Sequence, residues 1–359
     1  MFKKILITGG AGFIGSNYAH YCTEHHPQSE LVVLDNLTYA GNLDNIQSLI
    51  DSGKVRFAQG DISDADFIAE LFEKERFSAV VNFAAETHVD RSIVEPSIFL
   101  ETNVAGTHNL LKSAREFGVE RYHQVSTDEV YGDLGDDSTN YFTEETSIAP
   151  NCPYAASKAS ADLFVRSYNE TYRMAVTISR CSNNYGPYQF PEKLIPFFFQ
   201  LAEQGKELPL YGDGKNVRDW LYVEDHCSAI DTILHNGKAG EVYNIGGNNE
   251  KQNIEIAQLI LSFLGRPTTL IRYVEDRKAH DRRYAIDASK MKRDFAWEPT
   301  VTFEEGIKKT FDWYKANQEW WMKVIEKHNI DESRKHIAEP RSAKAQAARL
   351  IDLSPSPAN

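Results

Sequence analysis

The chain has 359 residues, of which 42% are hydrophobic and 25% are charged. At roughly 150 residues per domain, this length predicts one large domain or two closely joined ones, with ample chain to bury a core. The 39 Lys and Arg residues against 52 Asp and Glu leave a net charge of −13. Because the basic residues are also scattered, the composition argues against nucleic-acid binding.

The four cysteines, Cys22, Cys152, Cys181 and Cys227, lie far apart in the sequence. They show neither CxxC nor His-paired spacing, so we expect no disulfide framework and no metal site. The first residues run directly into a strand-like segment, and no stretch approaches 18 apolar residues. We therefore expect a soluble cytoplasmic protein that is not bound to a membrane.

Short apolar runs alternate with longer helical patterns over the first half of the chain. The runs predict strands at 4–7, 31–34, 55–58, 79–83, 122–125 and 175–178, and the helical patterns lie at 64–75, 97–117 and 154–172. Continuous β-branched runs between helices are typical of strands buried on both faces of a sheet. We predict an α/β fold with a Rossmann-type doubly wound parallel sheet.

The alternation becomes irregular after about residue 180, where turn-rich stretches follow one another. We predict a first domain at 1–181 and a smaller C-terminal domain at 182–330. Two segments near 217–246, namely 220–223 with its following helix and 242–245, look regular enough to return to the first sheet. The Ala-rich and Ser-Pro composition of 331–359 predicts a loose tail.

A glycine-rich turn follows the first predicted strand. It fits GxGxxG counted from Gly10 and GxxGxxG counted from Gly9, and both patterns end at Gly15. Glycine allows a tight turn and lets backbone N–H groups approach a pyrophosphate at a helix N-terminus. The motif alone is weak, because glycine turns after strands are common.

Asp35 ends the second predicted strand, 20 residues after Gly15. A carboxylate here can accept hydrogen bonds from ribose hydroxyls and repel a 2′-phosphate, which favours NAD over NADP. A plain strand-to-helix turn with an acidic strand end is the alternative. Asp61 and Ile62 follow the third strand, where Asp61 either lies at the adenine edge or caps the next helix.

Tyr154 and Lys158 are four residues apart and therefore share one helical face. An ammonium group beside a phenol stabilises the phenolate and lowers its pKa. Such a pair can take a proton from a sugar hydroxyl while its carbon loses a hydride. The YxxxK pattern is frequent by chance. Here it indicates a proton-transfer pair because a glycine turn precedes it and Thr127 is nearby.

These features together resemble the extended short-chain dehydrogenase/reductase family, in which Ser or Thr, Tyr and Lys form the catalytic group. Within that family the chain resembles the dTDP-glucose 4,6-dehydratases, through long motifs at 82–92, 126–132, 183–194, 218–226 and 280–284. The likeness extends over residues 1–325. It implies bound NAD in the first domain and a nucleotide-diphosphate sugar in the second.

Asp128 and Glu129 distinguish a dehydratase from related C4 epimerases. Once C4 of the sugar is oxidised, the C5 proton is acidic and a carboxylate can remove it, while the C6 hydroxyl needs an acid in order to leave. Two adjacent carboxyl groups can titrate apart and take these two roles. The resemblance makes Glu129 the base and Asp128 the acid; the alternative is that both only cap or solvate the turn.

The predicted site has three parts. The catalytic residues are Thr127, Asp128, Glu129, Tyr154 and Lys158. The cofactor-binding residues are Gly9, Gly12, Phe13, Ile14, Gly15, Asp35, Asn36, Asp61, Ile62, Ala84, Tyr154 and Lys158. The resemblance assigns substrate contacts, with Arg218 and Arg277 on the diphosphate, to Thr87, His88, Asn183, Glu192, Lys193, Leu194, Pro209, Tyr211, Arg218, Asn253, Arg277, His280 and Tyr284. Apart from His88, Arg218 and Arg277, each of these residues taken singly has an equally good structural explanation, but the set as a whole does not.

One departure from the family pattern is Lys278-Ala279, where Pro-Gly is expected. It makes that loop less rigid and adds a cation near the diphosphate, which affects the placement of Arg277 and His280. The helices at 101–117 and 154–172 are apolar on more than one face. The family pairs these helices in a homodimer, although such faces can also be buried against the sheet.

The leading hypothesis is an NAD-dependent conversion of dTDP-glucose to dTDP-4-keto-6-deoxyglucose. Another nucleotide-sugar 4,6-dehydratase, acting on a UDP or CDP sugar, is an alternative, since the base preference rests on resemblance. Asp128-Glu129 argues against a C4 epimerase or a decarboxylase. The intact Thr127, Tyr154 and Lys158 argue against a non-catalytic NAD-binding regulator.

Overall fold

The computed structural model describes residues 1–276 and 280–328. Arg277, Lys278, Ala279 and the tail at 331–359 lie outside the described residues. The strands are β1 (Lys4–Thr8), β2 (Glu30–Asp35), β3 (Val55–Gln59), β4 (Ala79–Asn82), β5 (Arg121–Thr127), β6 (Val176–Cys181), β7 (Asn183–Tyr185), β8 (Leu208–Tyr211), β9 (Val217–Tyr222), β10 (Val242–Ile245), β11 (Glu250–Gln252) and β12 (Ile271–Val274).

Helices connect most of these strands. They are α1 (Phe13–His25), α2 (Gln47–Asp51), α3 (Ala65–Glu75), α4 (Val89–Val94), α5 (Ser97–Phe99), α6 (Thr107–Glu116), α7 (Pro153–Tyr172), α8 (Leu194–Glu203), α9 (Val223–Asn236), α10 (Asn253–Phe263), α11 (Ser289–Phe295), α12 (Phe303–Ala316) and α13 (Gln318–His328). Three 3₁₀ turns lie at Leu43–Asn45, Asp128–Tyr131 and Thr268–Leu270, and a π-helical segment lies at Leu100–Gly106.

Seven strands form a fully parallel sheet in the order β10-β6-β5-β4-β1-β2-β3. The chain moves outward from β1 through β2 to β3, and then returns to β4 on the other side of β1. This reversal leaves a crevice beyond the carboxyl ends of β1 and β4, where α/β sheets bind their ligands. The predicted doubly wound sheet is confirmed.

Both faces of the sheet are covered by apolar side chains. On one face Ile5, Ile7 and Val33 pack with α1 and α9, and on the other Leu6, Val32 and Val80 pack with α3 and α6. Successive residues of β1 therefore alternate between two buried cores. This explains why its sequence is continuously apolar.

A second lobe contains two smaller sheets, β11-β9-β7 and β12-β8. Its core is rich in aromatic residues from α8 and α12, including Phe197, Phe199 and Phe311. The expectation that 220–223 returns to the large sheet is wrong, because β9 pairs parallel with β7 and antiparallel with β11. The helix after it, α9, does pack on the large sheet, and β10 pairs with β6.

The helix predicted at 97–117 is interrupted. It begins as the short α5, continues as the π-helical segment Leu100–Gly106 and ends as α6. The helix predicted at 64–75 begins one residue later, because the Asp64 side chain accepts a hydrogen bond from the Phe67 N–H at 3.0 Å and caps it. Asp61 is therefore not the cap of this helix. Of the two positions predicted for Asp61, only the one at the adenine edge remains.

The four cysteines are free and buried. Within the two described ranges, no helix has both the length and the apolarity required to span a membrane.

Candidate active site

The glycine-rich turn connects β1 to α1. Gly9 has φ +63, and a Cβ there would lie 2.7 Å from the Ala84 backbone N. A Cβ on Gly15 would lie 2.3 Å from the Gly9 carbonyl oxygen. Glycine at these two positions is therefore needed for the turn to close on itself. Gly12 precedes α1 without a side-chain cap, and the first turn of α1 has no acidic residue, so this helix end suits an anion.

Asp35 supports this turn from the end of β2. Its carboxylate accepts hydrogen bonds from the Ala11 N–H at 3.0 Å and the Leu37 N–H at 2.8 Å. Burial raises the pKa of Asp35. Asn36 donates a hydrogen bond to Asp61 at 2.6 Å, which joins the acidic ends of two strands on the same side of the crevice.

One cavity of about 320 Å³ extends from the glycine turn to the end of β5. Every residue predicted to bind the cofactor lines it, as do all five predicted catalytic residues. Four members of the predicted substrate set also line this cavity, namely Thr87, Asn183, Glu192 and Lys193. The fold thus brings residues from 9 to 193 into one place, with the cofactor and substrate sets side by side.

The predicted catalytic residues come from two elements that meet at this cavity. β5 ends at Thr127, and Asp128 and Glu129 begin the 3₁₀ turn that follows. Tyr154 and Lys158 lie on the first turns of α7, where Cys152 is the cap and Pro153 the first helical residue. The Lys158 Nζ donates a hydrogen bond to the Val125 carbonyl oxygen at 2.7 Å.

Thr127 links the two elements. Its hydroxyl lies 3.3 Å from an Asp128 carboxyl oxygen and accepts from the Glu129 N–H, also at 3.3 Å. A hydrogen bond also joins the Thr127 and Tyr154 side chains. Thr127 therefore contacts both carboxyl-bearing residues and the phenol.

The surroundings of Asp128 favour its protonated form. Its side chain is buried, and one carboxyl oxygen, Oδ2, has no hydrogen-bond partner among the described residues. Burial raises the pKa of Asp128 well above its usual range, and the adjacent Glu129 carboxylate raises it further. A carboxyl group in this state can serve as a proton donor near neutral pH.

The expected lowering of the Tyr154 pKa is not found. Burial raises the pKa of Tyr154 well above its usual range, and the charge of Glu129 adds to this effect. Burial also lowers the pKa of Lys158. The ammonium group bonds to a backbone carbonyl, and the Lys158 charge is absent from the main influences on Tyr154.

Sequence reasoning missed Asn103, which fixes the position of both walls of the cavity. Its amide accepts from the Glu86 N–H at 2.8 Å and donates to the Glu86 carbonyl at 3.0 Å. It also donates to the Ser157 hydroxyl at 2.8 Å, and Ser157 donates to the Tyr154 carbonyl at 2.7 Å. A buried Asn inside a helical pattern is the one signal that points to it, and its partners are 17 and 54 residues away.

His88, from the substrate set, lies beside the cavity, with its Nε2 3.4 Å from a Glu192 carboxyl oxygen. Lys193 donates to the Thr87 carbonyl at 3.3 Å. Leu194 begins α8 and packs against the aromatic core of the second lobe.

Other members of the substrate set lie beyond the lining of the cavity. Arg218 is buried against the Tyr284 ring at 4.3 Å and donates to the Asp281 carbonyl at 2.9 Å. The Tyr284 hydroxyl donates to the Asp281 carboxylate. Burial raises the pKa of Tyr284, and Glu129 and Arg218 both influence it, so this group lies near Glu129.

The remaining members surround β8 and β12. Pro209 and Tyr211 lie on β8, the Tyr211 and His280 rings are 6.0 Å apart, and His280 is 2.5 Å from an Asp276 oxygen. Asn253 begins α10 and is buried, with no partner for its Oδ1 within the described parts of the chain. Arg277 lies outside the described residues, so its assignment stays a prediction.

Outside the cavity, one cluster in the described structure holds three side chains of metal-ligating type: His26, Asp231 and His235, at the ends of α1 and α9. His26 Nε2 lies 2.8 Å from Asp231 Oδ1, and His235 Nδ1 lies 3.3 Å from the same oxygen. Asp231 raises the pKa of His235, so ion pairing explains these contacts.

A glycine turn at the switch point of a parallel sheet, joined to Thr127, Tyr154 and Lys158 in one cavity, defines an extended short-chain dehydrogenase/reductase. Comparison with known proteins narrows this class. The family model described as GDP-mannose 4,6 dehydratase matches residues 6–310. A dTDP-glucose 4,6-dehydratase of Xanthomonas campestris pv. campestris (strain B100) is 50% identical over 339 residues, which cover 89% of this chain and 95% of that protein.

Two solved structures that resemble this chain belong to the same family. The dTDP-glucose 4,6-dehydratase of Bacillus anthracis in complex with NAD is 51% identical with a TM-score of 0.84, covering 90% of this chain and 99% of that one. The dTDP-glucose 4,6-dehydratase of Streptomyces venezuelae with NAD and TYD bound is 47% identical with a TM-score of 0.86, covering 89% and 99%. The chain belongs to the dTDP-glucose 4,6-dehydratase family.

Proposed function

We propose that this protein converts dTDP-glucose to dTDP-4-keto-6-deoxyglucose with bound NAD, as a hydro-lyase. The observation that carries the proposal is the position of Asp128 and Glu129. They line the same cavity as the glycine turn and Tyr154, next to the end of β5. The relatives are named dTDP-glucose 4,6-dehydratases, which supports both this activity and a dTDP-linked sugar as the substrate.

The residues at the glycine turn fit NAD. A side chain at Gly15 would occupy the space beside the Gly9 carbonyl, so the turn keeps its backbone open toward the cavity. The buried Asp35 carboxylate suits ribose hydroxyls and disfavours a 2′-phosphate. Bound at this turn, NAD would supply the hydride chemistry of the reaction, in which C4 loses a hydride and C6 gains one.

The chain's own residues then move the protons. Tyr154 is assigned to take the proton of the C4 hydroxyl while Thr127 holds that oxygen in place, and the positive charges of Lys158 and of bound NAD would have to offset the burial that raises the pKa of Tyr154. Glu129 removes the C5 proton, which the neighbouring ketone has made acidic. Asp128, kept protonated by burial and by Glu129, donates a proton to the departing C6 hydroxyl, which leaves as water.

Closing the cycle returns a proton to C5 and causes no net redox change. Burial limits the access of water to this site, since Asp128 is 2% exposed and Lys158 is 4% exposed. We assign Arg218, His280 and the other residues at 182–330 to the sugar nucleotide, with 1–181 as the NAD-binding domain. The family resemblance assigns Arg218 and Arg277 to the diphosphate, and a guanidinium group matches phosphate oxygens well.

We also propose a homodimer that acts in the cytoplasm. Apolar side chains on α7 and the start of the π-helical segment are exposed, namely Leu100, Leu163, Phe164 and Tyr172. A second copy of the chain covering this face would bury them. The four free, buried thiols fit a reducing compartment.

A substrate panel tests the activity. The protein is incubated with dTDP-glucose, UDP-glucose and CDP-glucose at equal concentration, and products are followed by NMR. We expect a 4-keto-6-deoxy sugar, formed fastest from dTDP-glucose, and none from Tyr154→Phe. If UDP-glucose or CDP-glucose were converted faster, the assigned substrate would change. Formation of a C4 epimer or release of carbon dioxide would refute the proposed reaction.

A further inference from the structure

The last described helix, α13, touches the loops that close the cofactor end of the cavity. Val324 of α13 is 4% exposed and packs with Phe190, which is 8% exposed, and Tyr39 and Ala40 join this cluster. Ala40 and Phe190 also line the cavity. The helix therefore lies behind two cavity-lining loops that are about 150 residues apart in sequence.

One hydrogen bond leads from this helix toward the glycine turn. The Trp320 indole N–H donates to the Asn45 Oδ1 at 2.8 Å. An indole N–H can only donate, so it fixes which end of the Asn45 amide faces the helix. The other end, Nδ2, donates to the Ala11 carbonyl oxygen at 2.9 Å.

Ala11 is the middle of the glycine turn and is held at both of its backbone groups. Its carbonyl accepts from the Asn45 side chain and from the Asn42 N–H at 3.0 Å. Its N–H donates to the Asp35 carboxylate at 3.0 Å. Asn45 is 2% exposed, and its own carbonyl oxygen is 2.9 Å from His20 Nε2, so the amide has little freedom to move.

We propose that Trp320 acts through Asn45 as a positioning residue that slows the release of NAD. The inference rests on the proposed function, because a cycle without net redox change needs a cofactor that stays until the hydride returns. The hydrogen bond from Trp320 orients the Asn45 amide, and the oriented amide holds the Ala11 carbonyl and with it the open backbone of the turn. Neither Trp320 nor Asn45 lines the cavity.

The test uses the full-length enzyme loaded with NAD and chased with an excess of a fluorescent NAD analogue. Trp320→Phe keeps an aromatic ring but removes the N–H. Since one hydrogen bond is worth about 1 kcal/mol, we expect release about fivefold faster, with kcat at saturating NAD unchanged. Trp313→Phe is the matched control, because its ring lies 5.1 Å from Trp320 in the same aromatic cluster; it should release NAD as the wild type does.

A double-mutant cycle with Asn45→Ala separates this relay from general packing. If Trp320 acts through Asn45, the double variant releases NAD no faster than Asn45→Ala alone. Three results would each overturn the inference. Trp320→Phe could release NAD at the wild-type rate, Trp313→Phe could accelerate release as much as Trp320→Phe does, or the two accelerations could multiply in the double variant. A wild-type protein that binds no NAD would refute the proposed function as well, whereas normal turnover with unchanged release would refute this inference alone.

Discussion

Asp128 and Glu129 are neighbours in the chain but have different surroundings. Asp128 is 2% exposed, while Glu129 is only partly buried, and both residues line the cavity. Burial raises the pKa of Asp128, and the neighbouring Glu129 raises it further, so the surroundings favour the protonated form of Asp128. The fold thus gives two consecutive carboxyl groups different surroundings, as the proposed acid and base roles require.

Replacing Glu129 by Gln keeps the size of the side chain but removes its ability to accept the C5 proton. We expect Glu129→Gln to oxidise C4 once and then stall, with product formation reduced about 10²–10⁴-fold. Stopped-flow absorbance of the reduced nicotinamide in a single turnover measures the stall. Glu116→Gln, on the exposed surface of α6, is the control and should behave as the wild type. Normal multiple turnover by Glu129→Gln would show that another group is the base.

At this scale the sequence predicted residues that belong to local motifs, such as Gly15, Asp35 and Tyr154. It did not predict Asn103 or Asn45, whose partners lie far along the chain and which belong to no short motif. It also gave the wrong direction for the Tyr154 pKa, because burial cannot be read from the YxxxK spacing.

The glycine turn is the element on which cofactor binding depends most directly. In Gly15→Ala the added methyl group would lie 2.3 Å from the Gly9 carbonyl oxygen, so the turn must shift. We expect the Kd for NAD to rise about tenfold or more, which corresponds to about 1.4 kcal/mol. Titration with NAD measures it. Gly118→Ala, at φ +70 with open space around the new Cβ, tests general destabilisation and should leave the Kd unchanged. Equal affinity of Gly15→Ala and the wild type would contradict this account.

Strand β3 and helix α3 are joined by a pH-sensitive ion pair. Arg56 donates two hydrogen bonds to Glu75 at 2.9 and 2.6 Å, and Lys4 donates one at 3.3 Å. These partners lower the pKa of Glu75 from 4.5 to about 2. Because the pKa of the folded state lies below the ordinary value, the stabilisation is present above about pH 4.5 and is lost as the pH falls toward 2.

We therefore expect Glu75→Gln to lower the urea midpoint at pH 7 and to differ less from the wild type at pH 3.5. Unfolding followed by circular dichroism at both pH values measures this. Glu73→Gln, exposed on the same helix, is the control. A difference between Glu75→Gln and the wild type that is equal at both pH values would show that the ion pair is not its source.

The strands of the large sheet were predicted to within a few residues, since most of them are buried on both faces and form continuous apolar runs, whereas β7, β8, β11 and β12 of the second lobe were not predicted. The π-helical segment Leu100–Gly106 was not foreseen, because its composition is that of an ordinary helix. Strand β9 was predicted but placed in the wrong sheet. Its partners β7 and β11 are short and only partly buried, which gives a weak sequence signal.

The proposed dimer belongs to the scale of the whole molecule. Leu163 is 55% exposed and Phe164 is 42% exposed on α7, the helix that carries Tyr154 and Lys158. A charge at this face would be buried on association, so Leu163→Glu should shift the protein from dimer to monomer. Light scattering after gel filtration measures the mass. Tyr273→Glu, equally exposed at 57% on β12, should remain dimeric. A wild-type monomer, or an unchanged dimer in Leu163→Glu, would contradict the assignment of this interface.

The loss of alternation after residue 180 predicted a second domain, but no sequence pattern predicted the contact between α13 and the glycine-turn loops. Trp320 and Asn45 are 275 residues apart, and no periodicity connects them. Long-range contacts of this kind depend on how completed elements pack, which a local pattern does not record.

We propose that C4 oxidation makes the C5 proton removable and that Glu129 and Asp128 then eliminate water. Turnover of dTDP-glucose in deuterated water, with the product examined by NMR, tests it most directly. We expect a 4-keto-6-deoxy product carrying deuterium at C5, because the proton returned there comes from a group in exchange with solvent. A product with its original hydrogen at C5, or a C4 epimer in place of the deoxy sugar, would contradict it.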